Sequence, residues 1–175
     1  MAKGQPAPRL FTPSIVAESA DVFPIEILDL KNSRVILHGE DFFHQAPVDR
    51  SYLRVQCERE LRVKLMRLRE AYIECHDRPK DLQALLAGSY TTFTALFRGC
   101  LYLLGGKTPM RNSEVAEAFC RQAGLDPAPF VSVDWVKRGL VPAEDLKTLY
   151  GMYQEQLARA VDRVDAFVPK GGEGR

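Results

Sequence analysis

The sequence predicts a mostly α-helical protein: an antiparallel bundle of four or more helices that follows a short N-terminal α/β segment. From about Val48 onward, apolar residues recur at steps of three or four, which is the period of an amphipathic helix. Glycine and proline separate these stretches by short loops, and short loops join antiparallel neighbours. Before Val48 the apolar runs are short and rich in branched residues, which is typical of strands.

The first 45 residues form the predicted α/β segment. Residues 1–12 look like a loop, and Thr12-Pro13 is a helix start because the hydroxyl can cap and the proline needs no N–H there. A short helix is expected over Ser14–Ala20. Phe23–Leu30 has the composition and length of a strand, and Val35–Leu37 is a second short apolar run.

Three long helices are predicted over residues 46–168, with two shorter ones between the second and the third. Pro79 opens the second long helix, and Gly105-Gly106 ends it. Asn112 caps the first shorter helix, which Gly124 ends, and Phe130–Lys137 is the other. The apolar stripes of the three long helices are Leu53, Cys57, Leu61, Leu65, Leu68 and Tyr72; Leu82, Leu86, Tyr90, Phe93, Phe97, Cys100 and Leu104; and Leu146, Leu149, Tyr153, Leu157, Val161, Val164 and Phe167. Pro142 to Asp145 opens the last helix, and residues 169–175 are expected to be a disordered tail.

Composition narrows the classes of function. The formal net charge is +1, so no global field attracts nucleic acid, and nucleic-acid binding is not expected. No apolar run reaches the roughly 18 residues of a membrane span, and Met1–Arg9 has no secretory h-region. The four cysteines, at positions 57, 75, 100 and 120, form no Cys-x-x-Cys pair and fall within helical patterns. We interpret them as reduced core thiols, which predicts a cytoplasmic protein.

Two small groups of residues are candidates for chemistry. Glu26 and Asp29 lie on or beside the predicted strand, and carboxylates at a strand edge can hold a metal ion. The alternative is an exposed strand face. Arg69 and His76 lie near the end of the first long helix, where a histidine could act as acid or base in RNA cleavage. Helical ribonucleases of the HEPN type carry a comparable Arg and His motif, but that motif opens a late helix, whereas here it closes an early one, and chance explains this spacing better.

Two further groups of polar residues are better explained as solvated surface than as functional sites. His38, Glu40, Asp41 and His44 could in principle bind a transition metal, but their spacing matches no metal motif. The first long helix is rich in basic side chains that could bind phosphate: Arg54, Arg59, Arg62, Lys64, Arg67 and Arg69. Acidic residues are interleaved among them, and Glu58 with Arg62 and Glu60 with Lys64 have the spacing of helical ion pairs.

Four segments together resemble a known family: Ala7–Pro13, Ser19–Glu26, Arg34–Asp41 and Leu53–Arg62. They are similar to the C-terminal two-thirds of a bacterial nucleotidyltransferase-like family of the kanamycin-nucleotidyltransferase type. The resemblance implies a small α/β catalytic half followed by a helical bundle of the HEPN/nucleotidyltransferase substrate-binding type. It covers nearly the whole chain.

The catalytic half of such enzymes carries Gly-Ser, an Asp-x-Asp pair and a third carboxylate on a later strand, which together hold Mg²⁺ and the nucleotide phosphates. This sequence has no Asp-x-Asp, and its one Gly-Ser, Gly88-Ser89, lies within a helical stripe. The resemblance places Glu26 at the third carboxylate, with Asp29 the weaker match. We therefore expect no cofactor for this chain, with Mg²⁺ bound only where an upstream catalytic half completes the site.

These observations predict the substrate-recognition or scaffold part of a nucleotidyltransferase-like protein, inactive alone. Its expected partner is a second copy of the chain or the missing N-terminal catalytic half. One alternative is a HEPN-like ribonuclease that uses Arg69 and His76. Another is a dimeric helical interaction module. Separately, the open edge of the Phe23–Leu30 strand predicts self-association, because pairing with a second copy would cover that edge.

Overall fold

A computed structural model of the chain describes residues 10–18, 21–76, 78–141 and 145–168. In this part of the chain the fold is entirely helical, with eight helices. They are α1 (Pro13–Glu18), α2 (Pro24–Ser33), α3 (Phe42–Gln45), α4 (Arg50–Glu74), α5 (Pro79–Leu103), α6 (Asn112–Ala123), α7 (Ala128–Lys137) and α8 (Leu146–Asp165). The predicted mostly α bundle is confirmed, whereas residues 1–9 and the expected tail at 169–175 lie outside the described residues.

Helix α5 lies at the centre of the bundle. It packs against α4, α6, α7 and α8, and α4 also packs against α8. All three predicted apolar stripes face this interior, with only Tyr72, Leu104, Leu146 and Phe167 partly exposed. Because α5 has neighbours on most sides, its buried face is much wider than a stripe and includes Thr94, Leu96, Leu101 and Leu103.

The predicted strand over Phe23–Leu30 is wrong, because this segment forms α2. Pro24 occupies the first turn of the helix, where its missing N–H costs nothing. Ile25 and Leu28 are three residues apart and join the bundle core, whereas Ile27 packs on Val16 and Ala46 in a separate small cluster. The second run, at 35–37, is irregular and exposed. The expected strand edge is therefore absent from the described residues.

The helix ends follow local chemistry that the sequence shows. Thr12 accepts a hydrogen bond from the Ile15 N–H, and Gly105 and Gly124 end α5 and α6 with positive φ angles of 75° and 69°. The last helix starts later than predicted, at Leu146, because Asp145 accepts the N–H bonds of Lys147 and Thr148. Residues 142–144 lie outside the described ranges. Asn112 is the first helical residue of α6, not its cap.

No helix among the described residues is both long enough and apolar enough to cross a membrane.

Candidate functional site

A cavity of about 740 Å³ opens between α1, α2 and α3. The described residues that line it are apolar except for two carboxylates, Glu26 and Asp29. The apolar side chains that line it are Phe11, Ile15, Phe23, Ile27, Leu30 and Phe43. Phe11 and Phe43 contact each other edge to face, with ring centroids 5.9 Å apart. The two carboxylates were expected on or beside a strand, and the structure brings them together on a helix instead.

Glu26 and Asp29 are three residues apart on α2, so their side chains share one face of the helix. Glu26 accepts a hydrogen bond of 3.0 Å from the Gln56 Nε2 on α4. Partial burial raises the pKa of the Asp29 carboxyl, the positive charge of Arg98 lowers it, and the negative charge of Glu26 raises it further. The cavity therefore has an acidic wall in which Asp29 is the partly desolvated carboxylate.

A second concave surface lies between α4 and α5 and encloses about 350 Å³. Its lining combines two cations with a floor of small and apolar residues: Lys64, Arg67, Leu68, Ala71, Ala84, Leu85, Gly88, Ser89, Thr92 and Phe93. We call it the α4–α5 groove. The sequence analysis named both cations but did not foresee the groove, which depends on how closely two helices approach. The small residues at positions 84 and 88 of α5 were the available signal.

Some of the basic residues of α4 form ion pairs, and others do not. Arg54 and Arg62 both pair with Glu58, and Arg62 also pairs with Asp165 of α8 at 3.0 Å. The predicted Glu58–Arg62 pair is thus confirmed, and these charges are neutralised in place. The predicted Glu60–Lys64 pair is wrong, since neither residue makes an ion pair with another described residue.

Arg69 and His76 engage different partners. The Arg69 Nε donates a hydrogen bond of 2.6 Å to the Gln154 Oε1 on α8. The His76 Nδ1 lies 2.7 Å from the carbonyl oxygen of Glu74, and His76 itself follows the end of α4 with a φ of 45°. Both side chains are exposed, and neither lines the cavity or the groove described above.

The polar residues after Gly39 serve local structure. Asp41 caps α3 by accepting the His44 N–H and forms an ion pair with Arg34, with 2.7 Å between the Arg34 Nε and the Asp41 Oδ1. The hydrogen bond from Arg34 lowers the pKa of the Asp41 carboxyl. His38 and Glu40 are exposed. Nowhere in the described ranges do three or more His, Cys, Asp or Glu side chains form a group that could hold a metal ion.

The thiols are free and buried, as the sequence analysis expected of core cysteines. A hydrogen bond with Cys57, together with burial, raises the pKa of Cys100, and burial raises the pKa of Cys120 to about 12. Burial also raises the pKa of Cys75, the neighbour of His76. A thiol with a raised pKa is protonated at neutral pH and is a poor nucleophile.

Comparison with known proteins gives this chain no family, since a scan of family models, a search of curated proteins and a search of solved structures each returned no significant match.

Proposed function

We propose that this chain is a recognition part of a nucleotidyltransferase-like protein and is not catalytic alone. In this proposal the cavity between α1, α2 and α3 receives the apolar portion of a positively charged substrate. The observation that carries the proposal is the position of Glu26 and Asp29 in the wall of a cavity whose other described lining residues are all apolar.

The size and lining of the cavity support a role in binding. Pockets for small organic ligands usually enclose about 300–1,000 Å³, are mostly apolar and carry a few converging polar groups. The cavity encloses about 740 Å³. Phe23 is about half exposed, at 50%, and Phe11 is 43% exposed, so two aromatic rings at the cavity remain accessible to a ligand.

The charge of the cavity selects the class of ligand. Among the described residues its lining includes two carboxylates and no lysine or arginine, and the nearby charge of Arg98 lowers the pKa of Asp29 without reversing its overall rise. The nearest basic residue along α2, Lys31, donates a hydrogen bond of 2.8 Å to the carbonyl oxygen of Ala46. An ammonium group beside Glu26 and Asp29 would be attracted by both carboxylates, while an anion would be repelled. A ligand with an aromatic or aliphatic body and an amine therefore matches the cavity.

A matched series of probes tests this proposal. We expect 4-phenylbutylamine to bind with a Kd of roughly 0.1–1 mM, as suits a ligand of this size. It should bind about fivefold tighter than the neutral 4-phenylbutanol, a difference of about 1 kcal/mol for a partly exposed charge pair. Titration of ¹⁵N-labelled protein by NMR measures each Kd and locates the shifts on α2.

Charge-neutralising variants serve as the control. The double variant Glu26→Gln, Asp29→Asn should remove the preference for the amine, while Glu18→Gln, which changes an acid of α1 outside the cavity, should keep it. The amine should also bind more weakly as the pH falls through the raised pKa of Asp29, because the carboxylate then becomes neutral. Equal affinity for the amine, the alcohol and 4-phenylbutyrate would contradict the proposal.

Self-association is a second proposed role, and it rests on a separate observation. The segment between α2 and α3 exposes Val35 by 80% and Leu37 by 93%. Exposed apolar groups of this kind often mark an interface. The HEPN-like alternative remains a prediction from the sequence, and the hydrogen bonds of Arg69 and His76 give it no added support.

A further inference from the structure

We propose that the α4–α5 groove is a second binding site, and that it takes a free organic phosphate monoester with an aromatic or apolar body. The inference is independent of the function proposed for the N-terminal cavity, because it uses different helices and the opposite charge. It rests on the pairing of the basic residues of α4, the lining of the groove and the space above Gly88.

Lys64 and Arg67 supply an uncompensated positive charge. They are three residues apart, so they share one face of α4 at the groove. Neither makes an ion pair with any described carboxylate, although Glu60 and Glu70 lie four and three residues away on the same helix. Their neighbours Arg54 and Arg62 are neutralised by Glu58 and Asp165. The groove therefore has two adjacent cations whose charge no described carboxylate neutralises.

The floor of the groove accepts a flat apolar body. The half-buried Leu85 and the edges of the buried Leu68 and Phe93 form the apolar floor, while Ala71 and Ala84 leave the space between the helices open. The Ser89 Oγ donates to the carbonyl oxygen of Leu86 at 2.9 Å, and the Thr92 hydroxyl also lines the groove. A ring can lie over the apolar floor while an attached anion reaches the cations.

Gly88 keeps the groove open. A Cβ added at this position would meet no heavy atom within 4 Å, so the space above it is empty. Gly88 lies inside α5 without a positive φ, and its backbone conformation does not require glycine. Glycine is the poorest helix former except for proline. A larger side chain at this position would extend into that space, which makes Gly88 a suitable place to block the groove.

The pair of cations selects the anion. The guanidinium of Arg67 can donate two parallel hydrogen bonds to phosphate oxygens, and the Lys64 ammonium adds a point charge. Two positive charges match the nearly double negative charge of a phosphate monoester at neutral pH. A nucleic-acid strand would require a longer basic track, and on α4 Arg54 and Arg62 are paired with carboxylates while Arg69 is bonded to Gln154.

The test uses 1-naphthyl phosphate, 1-naphthol and inorganic phosphate as separate probes, titrated into ¹⁵N-labelled protein. We expect 1-naphthyl phosphate to bind about tenfold tighter than either fragment, because only the intact molecule uses both the apolar floor and the cations. Its amide shifts should centre on Gly88 and Ser89. Raising the salt concentration should weaken binding of the phosphate but not of the naphthol.

Two matched pairs of variants complete the test. Gly88→Phe should fill the groove and abolish binding, while Gly151→Phe places the same side chain inside α8, where a Cβ also meets nothing within 4 Å. Lys64→Gln with Arg67→Gln should remove the tenfold preference for the phosphate, while Arg59→Gln, on an exposed part of α4 outside the groove, should not. Circular dichroism verifies that each variant is folded.

Three results would overturn the proposal. The first is equal binding of naphthol and naphthyl phosphate to the wild type. The second is retained binding in a folded Gly88→Phe variant, which would place the ligand elsewhere. The third is binding to vesicles that contain phosphatidic acid without any binding of soluble naphthyl phosphate, which would make the groove a membrane-surface contact. If Gly88→Phe fails to fold, the charge pair of variants decides alone.

Discussion

The helical bundle and the N-terminal segment bury their apolar residues very differently. In the bundle, Leu53, Leu61 and Phe97 have no exposed surface, and one large cluster joins α4 through α8. In the segment of α1 to α3, a separate cluster contains only Val16, Ile27 and Ala46 among the described buried residues. Burial of apolar area is the main stabilising contribution to folding. We infer that the segment holds its shape mainly through the contacts of Ile25 and Leu28 with the bundle.

The largest expected effect comes from placing a carboxylate in each of these two interiors. Leu61→Asp should unfold the whole protein, because an unpaired buried carboxylate costs several kcal/mol against a total stability of roughly 5–15 kcal/mol. Ile27→Asp should remove the structure of the N-terminal segment but leave the cooperative melting of the bundle. Thermal melting followed by circular dichroism distinguishes these outcomes.

Arg59→Ala is the control for this comparison, because Arg59 is exposed on α4 and should barely change the melting temperature. A Leu61→Asp variant that melts like the wild type would contradict the assignment of the buried face of α4. If Ile27→Asp removes the cooperative transition of the bundle as well, the segment and the bundle form one folding unit.

The same contrast explains what the sequence could predict. The stripes of α4, α5 and α8 were predicted correctly, because many turns of one helix repeat the same period. The Phe23–Leu30 run is only eight residues long and fits a strand or a helix by composition. The contacts of Ile25 and Leu28 with the bundle decide between the two, and such long-range contacts are not visible in the run itself.

The candidate sites show a similar limit. Sequence spacing correctly allowed Glu58 to reach Arg62, and it equally allowed Glu60 to reach Lys64, but only the first pair forms. Asp165, which is distant in the sequence, adds a second partner for Arg62. Residues such as Glu26 and Lys64 were identifiable by type, whereas the cavity and the groove arise from the packing of separate helices.

The second prediction compares exposed apolar residues in the two regions. The Phe23–Leu30 segment forms α2, so the strand edge that was expected to pair two copies is absent from the described residues. Leu37 provides a better test because it is 93% exposed. We expect the wild type to form a dimer at chain concentrations below about 100 μM, with a mass in sedimentation of twice the 19.7 kDa of the chain.

Leu37→Lys should raise the Kd of this dimer about tenfold, or about 1.4 kcal/mol, by placing a charge in an apolar contact. Ile73→Lys makes the same chemical change at a residue that is 73% exposed on α4 of the bundle, and it should leave the dimer intact. Sedimentation equilibrium measures both constants. A wild-type chain that stays monomeric at that concentration would argue against self-association, and a dimer weakened only by Ile73→Lys would place the interface on the bundle.

The smallest expected effect concerns Gly151, an exposed residue inside α8 at which a Cβ would meet no heavy atom within 4 Å. Gly151→Ala should increase the free energy of unfolding by roughly 0.5–1 kcal/mol, because alanine is the better helix former. For a chain of this size the melting temperature should rise by about 2–4 °C per kcal/mol.

Hydrogen exchange of the Gly151→Ala variant then compares the bundle with the N-terminal segment. Amides of α4 and α8 that exchange through global unfolding should become roughly two- to fivefold better protected, while amides of α2 should not change because they exchange through local opening. An equal gain in α2 would mean that its amides also exchange only through unfolding of the bundle, and the N-terminal segment would then be as stable as the bundle.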